Sequence, residues 1–112
     1  MTLKDTDTRA LELLRALEAE PHASQRQLAS EIGLSLSRTN YVLRSLIEKG
    51  WVKADNFSQN PNKLGYVYLL TPAGITEKMK LTRRFLIRKY AEYDAIKDEI
   101  ARLEAELSGK EL

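Results

Sequence analysis

Apolar residues near the start of the chain recur at intervals of three and four, which is the spacing of one face of an α-helix. Leu11, Leu14 and Leu17 have this spacing and follow an acidic stretch at residues 5–8. Pro21 comes soon after them, and proline does not continue a helix. The pattern therefore predicts a first amphipathic helix that ends before Pro21.

Two shorter helices with a tight turn between them are predicted next. Ser24 is followed three residues later by Gln27, which fits a capping box at the start of a helix. Gly33 ends this second helix, because glycine adopts the left-handed conformation without steric cost. Ser35 then caps a third helix that runs to about residue 49, where Gly50 terminates it. Two helices joined in this way form a helix-turn-helix.

The pattern changes from helical to strand-like after Gly50. The runs WVKAD (residues 51–55) and YVYLLT (residues 66–71) are rich in β-forming residues. The segment NFSQNPNKLG between them contains the turn formers Asn, Pro and Gly. These three segments predict a β-hairpin with a polar loop.

A long helix is predicted after the hairpin. Thr71 is a capping residue, and Pro72 occupies the first helical position, where proline is favoured. Gly74 is expected to weaken the first turn. No strong stop signal follows until about Ser108, so this helix measures roughly 55 Å at 1.5 Å per residue.

The last part of the long helix carries an apolar stripe at the spacing of a coiled coil. Tyr93, Ile96, Ile100, Leu103 and Leu107 step by three and four, which predicts a dimerisation seam. The earlier part, from residue 75 to about residue 86, is expected to pack on its own domain. The alternative for the late stripe is a helix that folds back on its own domain.

These elements define a fold that is mainly α with a small β-hairpin. We predict one domain at residues 1–74 that contains the helix-turn-helix and the hairpin, followed by a long C-terminal dimerisation helix at residues 75–112.

The predicted third helix has one apolar and one polar face. Thr39, Leu43 and Leu46 share the inner face at 3.6 residues per turn. The opposite face meets something polar, and the major groove of DNA is wide enough to admit one helix. We call this outer face the recognition face; its residues are Ser37, Arg38, Asn40, Tyr41 and Arg44.

Each polar residue type on this face suits one DNA contact. Arginine forms two hydrogen bonds with guanine, and asparagine does so with adenine. Ser37 and the amides at the helix start suit a phosphate. Arg26 and Lys53 are further phosphate candidates, and the hairpin loop is expected to reach the minor groove or the backbone. The predicted DNA-binding residues are Arg26, Ser35, Ser37, Arg38, Asn40, Tyr41, Arg44, Lys53, Asn62 and Lys63, with Asn60 beside them in the loop.

Alternatives remain for several of these residues. Arg38 and Arg44 also fit plain solvated helix charges, and Tyr41 also fits packing on the base of the hairpin. His22, the only histidine, lies beside a proline and is interpreted as a surface residue.

The charge distribution changes the picture more than the composition does. The net charge is only +2, yet residues 21–64 carry 6 basic and 3 acidic groups and residues 65–92 carry 6 and 2. Both ends are acidic. A basic centre favours a polyanionic partner. Within the long helix the basic groups come early and the acidic groups late, so antiparallel pairing of two copies is favoured over parallel pairing.

Several classes are disfavoured by what the sequence lacks. No apolar run approaches the length of a membrane span, and the N-terminus has no signal-peptide core. The absence of cysteine rules out disulfides and thiolate metal sites and fits the cytoplasm. With one histidine and no phosphate loop, metal spacing or nucleophile elbow, we predict no enzyme, no cofactor and no metal.

Two stretches carry a family resemblance. LASEIGLSLSRTNYVLRSLIEKGWV and NKLGYVYLLTPAGI resemble the winged helix-turn-helix of MarR-type transcriptional regulators, especially the short EPS-associated (exopolysaccharide-linked) subgroup. The resemblance implies that residues 1–74 form a winged helix-turn-helix DNA-binding domain. It also implies a homodimer on a pseudo-palindromic operator, with the recognition face on DNA and Lys63 on the wing. Larger members often have an acidic–arginine pair at the wing tip, whereas NPNKLG has Lys63 as its only charge. This chain has little material for an effector pocket, so no small-molecule effector is predicted.

A different class also remains open. The same fold serves as a protein–protein interaction module when its third helix binds a partner protein. Double-stranded RNA is a weaker candidate, because its major groove does not admit a helix.

Overall fold

A computed structural model describes residues 5–55 and 67–109 of the 112-residue chain. The element order agrees with the prediction. In chain order the elements are α1 (Asp5–Ala19), α2 (Gln25–Ile32), α3 (Leu36–Glu48), β1 (Val52–Asp55), β2 (Val67–Leu70) and α4 (Pro72–Leu107). Helix α1 thus already includes the acidic stretch at residues 5–8.

The two predicted caps at the helix-turn-helix are present. Ser24 Oγ accepts a hydrogen bond from the Gln27 amide at 3.1 Å, and Gln27 Oε1 accepts one from the Ser24 amide at 2.8 Å, so α2 begins with a complete capping box. Ser35 Oγ accepts a hydrogen bond from the Arg38 amide at 3.2 Å at the start of α3. Each cap satisfies an amide that has no partner within the helix.

The turn between α2 and α3 depends on Gly33. This residue has a φ of +72°, in the left-handed region, and the Leu34 amide donates to the Ala29 carbonyl at 3.0 Å. An added Cβ at Gly33 would meet nothing within 4 Å, so the cost of a side chain there is conformational and not steric.

We expect Gly33→Ala to lower the free energy of unfolding by about 1–2 kcal/mol, the cost of the left-handed conformation for a residue with a Cβ. Gly33→Asn should lower it less, because asparagine tolerates this conformation better. Urea denaturation of both variants measures the difference. Equal stability of the alanine variant and the wild type would contradict this account of the turn.

The core is built from one face of each helix and both strands. Leu13, Leu14 and Leu28 are fully buried, and Thr39 is buried with its hydroxyl donating to the Ser35 carbonyl at 2.9 Å. The other large buried side chains of this core are Leu11, Leu17, Ile32, Leu43, Leu46, Val52, Tyr68 and Leu81. The predicted inner face of α3 is therefore confirmed.

Strands β1 and β2 pair antiparallel, with Val52 opposite Leu70 and Asp55 opposite Val67. The predicted hairpin is thus confirmed in its strands. Its loop, with Asn60, Asn62 and Lys63, lies outside the described residues.

The hairpin passes directly into α4 at Thr71. The Thr71 amide donates to the Trp51 carbonyl at 3.0 Å, and its hydroxyl donates to the Gly50 carbonyl at 2.6 Å. The same hydroxyl oxygen accepts from the Gly74 amide at 3.0 Å and caps α4. The end of α3, the start of β1 and the start of α4 therefore meet at one residue.

Gly74 has a role that the sequence did not indicate. It is buried in the first turn of α4, and a Cβ on it would lie 2.0 Å from the Trp51 carbonyl oxygen. The expectation that Gly74 merely weakens the helix was therefore incomplete, because only glycine lets α4 approach β1 this closely.

The early part of α4 packs on α1, but on one side only. Leu81 is fully buried and Phe85 is partly buried against the core. Lys78 forms an ion pair with Glu18, and Arg84 Nη1 lies 3.9 Å from Asp7 Oδ2. The expectation that this part of α4 packs on its own domain is therefore confirmed, and its other side leaves Ile75, Met79 and Leu86 exposed.

The second half of α4 extends away from the other described elements. From Leu86 to Leu107 every side chain except Ala105 is exposed, so the described chain does not fold back on itself. The exposed apolar side chains on one line of the helix extend back to Ile75, although Thr82 and Lys89 interrupt the three-and-four spacing before Tyr93. We call them the α4 seam: Ile75, Met79, Leu86, Tyr93, Ile96, Ile100, Leu103 and Leu107. No helix in the two described ranges is both long enough and apolar enough to cross a membrane.

Candidate nucleic-acid interface

The recognition face lies on the outside of α3, as the sequence predicts. Ser37, Arg38, Tyr41 and Arg44 are exposed, and Asn40 is half-buried. Tyr41 is 73% exposed, so the alternative in which it packs on the base of the hairpin does not hold for this structure. Asn40, Tyr41 and Arg44 line one open depression on the surface of the helix.

The N-terminal end of α3 presents amides and two serines. Ser35 Oγ is engaged as the cap, and Ser37 Oγ lies 3.4 Å from it and is exposed. The first amides of a helix carry partial positive charge and bind anions well. This end of α3 is therefore chemically suited to a phosphate, with Ser35 serving the helix and Ser37 facing outward.

Asn40 is held by residues that the sequence did not single out. Its Nδ2 donates to Gln25 Oε1 at 3.0 Å, and Gln25 Nε2 donates to the Tyr68 hydroxyl oxygen at 3.2 Å. These two bonds connect α3, α2 and β2. No sequence motif predicts these bonds, because Gln25 lies 15 positions from Asn40 and 43 positions from Tyr68 along the chain.

The other predicted cations flank α3. Arg26 is exposed in the first turn of α2, and Lys53 is exposed on β1, where its Nζ lies 3.8 Å from Asp55 Oδ2. Both extend the positive surface beyond the recognition face. The predicted wing residues Asn60, Asn62 and Lys63 fall outside the described residues.

A cavity of about 240 Å³ separates the start of α1 from α3. Arg38 and Tyr41 form part of its wall, and Lys49 lies at the same wall with its Nζ 4.8 Å from the centre of the Trp51 ring. Arg9 lies on the opposite wall, and its Nη1 donates a hydrogen bond to Glu12 Oε1 at 3.0 Å. Lys49 adds a cation beside the recognition face, and no pattern in the sequence indicates it.

Residues 6–53 match the sequence profile of the family described as winged helix-turn-helix DNA-binding. A search of curated proteins finds no match. Among solved structures, PcaV, a transcriptional regulator of Streptomyces coelicolor, is similar with a TM-score of 0.66 and 22% identity over 94% of this chain and 81% of that one.

Two further structures have the same fold. Wild-type MarR of E. coli in its apo form has a TM-score of 0.66 and 20% identity over 89% of this chain and 74% of MarR. A variant of S. aureus MepR bound to an oligodeoxyribonucleotide has a TM-score of 0.60 and 17% identity, over 88% of this chain and 78% of that one.

The element order and the matched segment show that the chain has a winged helix-turn-helix fold. The fold, including the long C-terminal helix that follows the hairpin, is similar to those of PcaV and MarR.

Proposed function

We propose that this protein is a sequence-specific double-stranded DNA-binding transcriptional regulator that acts in the cytoplasm as a homodimer on a pseudo-palindromic operator. One observation carries the proposal: α3 is a capped helix whose outer face presents Arg38, Tyr41 and Arg44 as exposed side chains. The match of residues 6–53 and the DNA-bound MepR variant support the same function.

The proposed contacts follow from the chemistry of the recognition face. Arg38 and Arg44 read guanine through bidentate hydrogen bonds, and Asn40 reads adenine. Ser37 and the first amides of α3 hold a phosphate, and Arg26 and Lys53 contact the backbone on either side. The wing, with Asn62 and Lys63, would add minor-groove or backbone contacts.

The homodimer rests on the α4 seam. Apolar residues spaced by three and four along a helix bury themselves against a partner helix. Here this spacing is unbroken and exposed from Tyr93 to Leu107, and Met79 and Leu86 lie on the same line of the helix at intervals of seven. Residues 72–89 carry six basic and one acidic side chains, whereas residues 90–107 carry six acidic and two basic ones. A second copy of α4 in antiparallel orientation covers the seam and sets opposite charges side by side, so we propose this arrangement.

The resemblance to the EPS-associated subgroup suggests exopolysaccharide genes as targets. Its support is the sequence of the helix-turn-helix and of the hairpin end. The absence of an effector stays a prediction.

A protein–protein interaction module is the second candidate, because the exposed face of α3 and the α4 seam are both surfaces that suit protein partners. The two candidates differ in how binding to DNA should depend on salt concentration. A DNA reader loses affinity steeply, with a logarithmic slope near −0.9 per phosphate neutralised. Binding to genomic DNA fragments that is absent, or that does not change with salt, would favour the protein-binding module.

In vitro selection of bound duplexes with the purified protein tests the proposal most directly. We expect enrichment of a two-fold symmetric sequence whose half-sites lie about one helical turn, or a multiple of it, apart. Failure to enrich any sequence above the starting pool would refute sequence-specific binding.

We expect Arg38→Ala and Arg26→Ala to weaken binding in different ways. Arg38→Ala should relax base preference at one position of the half-site and cost about 1–3 kcal/mol. Arg26→Ala should weaken binding to all sequences alike and lower the salt slope by about one phosphate. Titrations on the selected site and on single-base variants of it separate the two effects. The same profile for both variants would contradict this division of roles.

A further inference from the structure

Asn40 is the only member of the recognition face that is half-buried, since the other four residues are exposed. Its amide nitrogen donates to Gln25, and Gln25 in turn donates to Tyr68. A side chain that reads a base is expected to make no hydrogen bond within the protein, unless that bond sets its orientation toward the base. The contribution of Gln25 and Tyr68 to base reading therefore has to be explained.

We propose that Gln25 is a specificity-determining residue, which orients the Asn40 amide for base reading and couples it to the hairpin through Tyr68. The proposal deepens the DNA-binding function proposed above and rests on it. We call the three residues the Asn40–Gln25–Tyr68 relay.

Tyr68 and Gln25, the two residues that hold Asn40, lie in regular backbone elements. Tyr68 is only 6% exposed, lies in β2, and donates its backbone amide to the Pro21 carbonyl at 3.3 Å. Gln25 is the first residue of α2, immediately after the capping box at Ser24. The Gln25 amide is therefore held between a buried hydroxyl and Asn40, and it offers Asn40 an acceptor at a fixed place.

The Asn40 amide keeps the groups that a base needs. A side-chain amide has two N–H donors and one carbonyl acceptor. One donor is used on Gln25, which leaves a donor and the acceptor oxygen, the pair that adenine N7 and N6 require. The relay thus selects one face of the amide for the DNA and removes the rotational freedom that binding would otherwise have to restrict.

The relay is poorly placed to serve stability alone. Gln25 and Asn40 are both half-buried, so water can replace their mutual hydrogen bond at small cost to folding. The orientation of the Asn40 amide cannot be supplied by water in the same way. Loss of the relay should therefore alter base preference more than the stability of the fold.

The test compares four single variants and one double variant of the full chain on the selected operator. Gln25→Met keeps the length of the side chain and removes both hydrogen bonds. Tyr68→Phe removes a buried hydroxyl that cannot itself touch DNA. Gln25→Glu keeps an acceptor for Asn40 and accepts from the Tyr68 hydroxyl. Asn40→Ala identifies the base pair that Asn40 reads, and Gln25→Met/Asn40→Ala tests whether the two act together.

We expect Gln25→Met and Tyr68→Phe to reduce discrimination roughly fivefold to tenfold at the base pair affected by Asn40→Ala, within the range of one bidentate base contact. Discrimination at other base pairs and the salt slope should not change. The double variant should lose no more discrimination than Asn40→Ala. Gln25→Glu should weaken binding to all sequences through its charge while it restores the preference at this base pair.

Nuclear magnetic resonance of the free protein adds a readout that needs no DNA. The Asn40 side-chain amide should be ordered in the wild type and should fall below an order parameter of about 0.6 in Gln25→Met. A mobile Asn40 amide in the wild type, unchanged discrimination in Gln25→Met, or an equal loss on every sequence would each overturn the proposal. Wild-type protein without any base preference would instead refute the proposed sequence-specific DNA binding, and the role of Gln25 in specificity with it.

Discussion

Gly74→Ala should destabilise the protein by about 3 kcal/mol, although alanine is the better helix former by about 1 kcal/mol. The new Cβ would lie 2.0 Å from the Trp51 carbonyl oxygen and 2.9 Å from the carbonyl carbon. Both are backbone atoms, so no side chain can move aside. Relief requires α4 to shift away from β1, which breaks the bond from the Thr71 amide to the same Trp51 oxygen. Thermal unfolding should show a midpoint lowered by roughly 10–20 °C.

The matched control is Ala73→Gly in the same turn. Ala73 is exposed, so this variant should show only the propensity cost of glycine, about 1 kcal/mol. A Gly74→Ala variant as stable as the wild type would mean that α4 does not approach β1 as closely as described.

Ile100→Glu should dissociate the homodimer without unfolding the protomer. Ile100 lies in the middle of the late α4 seam and is 49% exposed in the single chain, so the protomer does not depend on it. In the proposed dimer two copies of this side chain are covered, and the loss of about 2 kcal/mol for each raises the dissociation constant on the order of 10³-fold. Analytical ultracentrifugation measures this change, and circular dichroism checks that helix content is kept.

Ala91→Glu is the control for this variant. Ala91 is exposed on the side of α4 away from the seam, two residues before Tyr93. It should leave the dissociation constant within about threefold of the wild type, because an exposed charge contributes little. Dissociation by both variants, or by neither, would rule out the seam as the dimer interface.

Local signals in the sequence predicted the elements well. Ser24, Ser35 and Thr71 each cap the helix that they were expected to cap, because a cap involves residues only two or three positions apart. The polar and apolar faces of α3 followed from its period in the same way. The recognition face was therefore readable from the chain, although its contacts with DNA stay a proposal.

Features that depend on distant parts of the chain were not predictable. The need for glycine at position 74 arises from Trp51, which lies 23 positions earlier, and no propensity scale contains that contact. The hydrogen bond from Asn40 to Gln25 is equally non-local. The seam was underestimated for a related reason: Ile75 and Met79 become exposed only because α1 covers the other side of α4.

Thr71 joins the hairpin, the end of α3 and the start of α4 into one unit. The hairpin strand, the end of α3 and the start of α4 are bonded to one residue, and β2 passes into α4 with Thr71 alone between them. The angle between the recognition helix and the axis of α4 is therefore set by the fold and does not adjust through a linker. Two such protomers paired along α4 would hold their recognition faces at a fixed angle to each other. Each base pair inserted into DNA turns one half-site by about 34° relative to the other, so tolerance to altered operator spacing should be narrow.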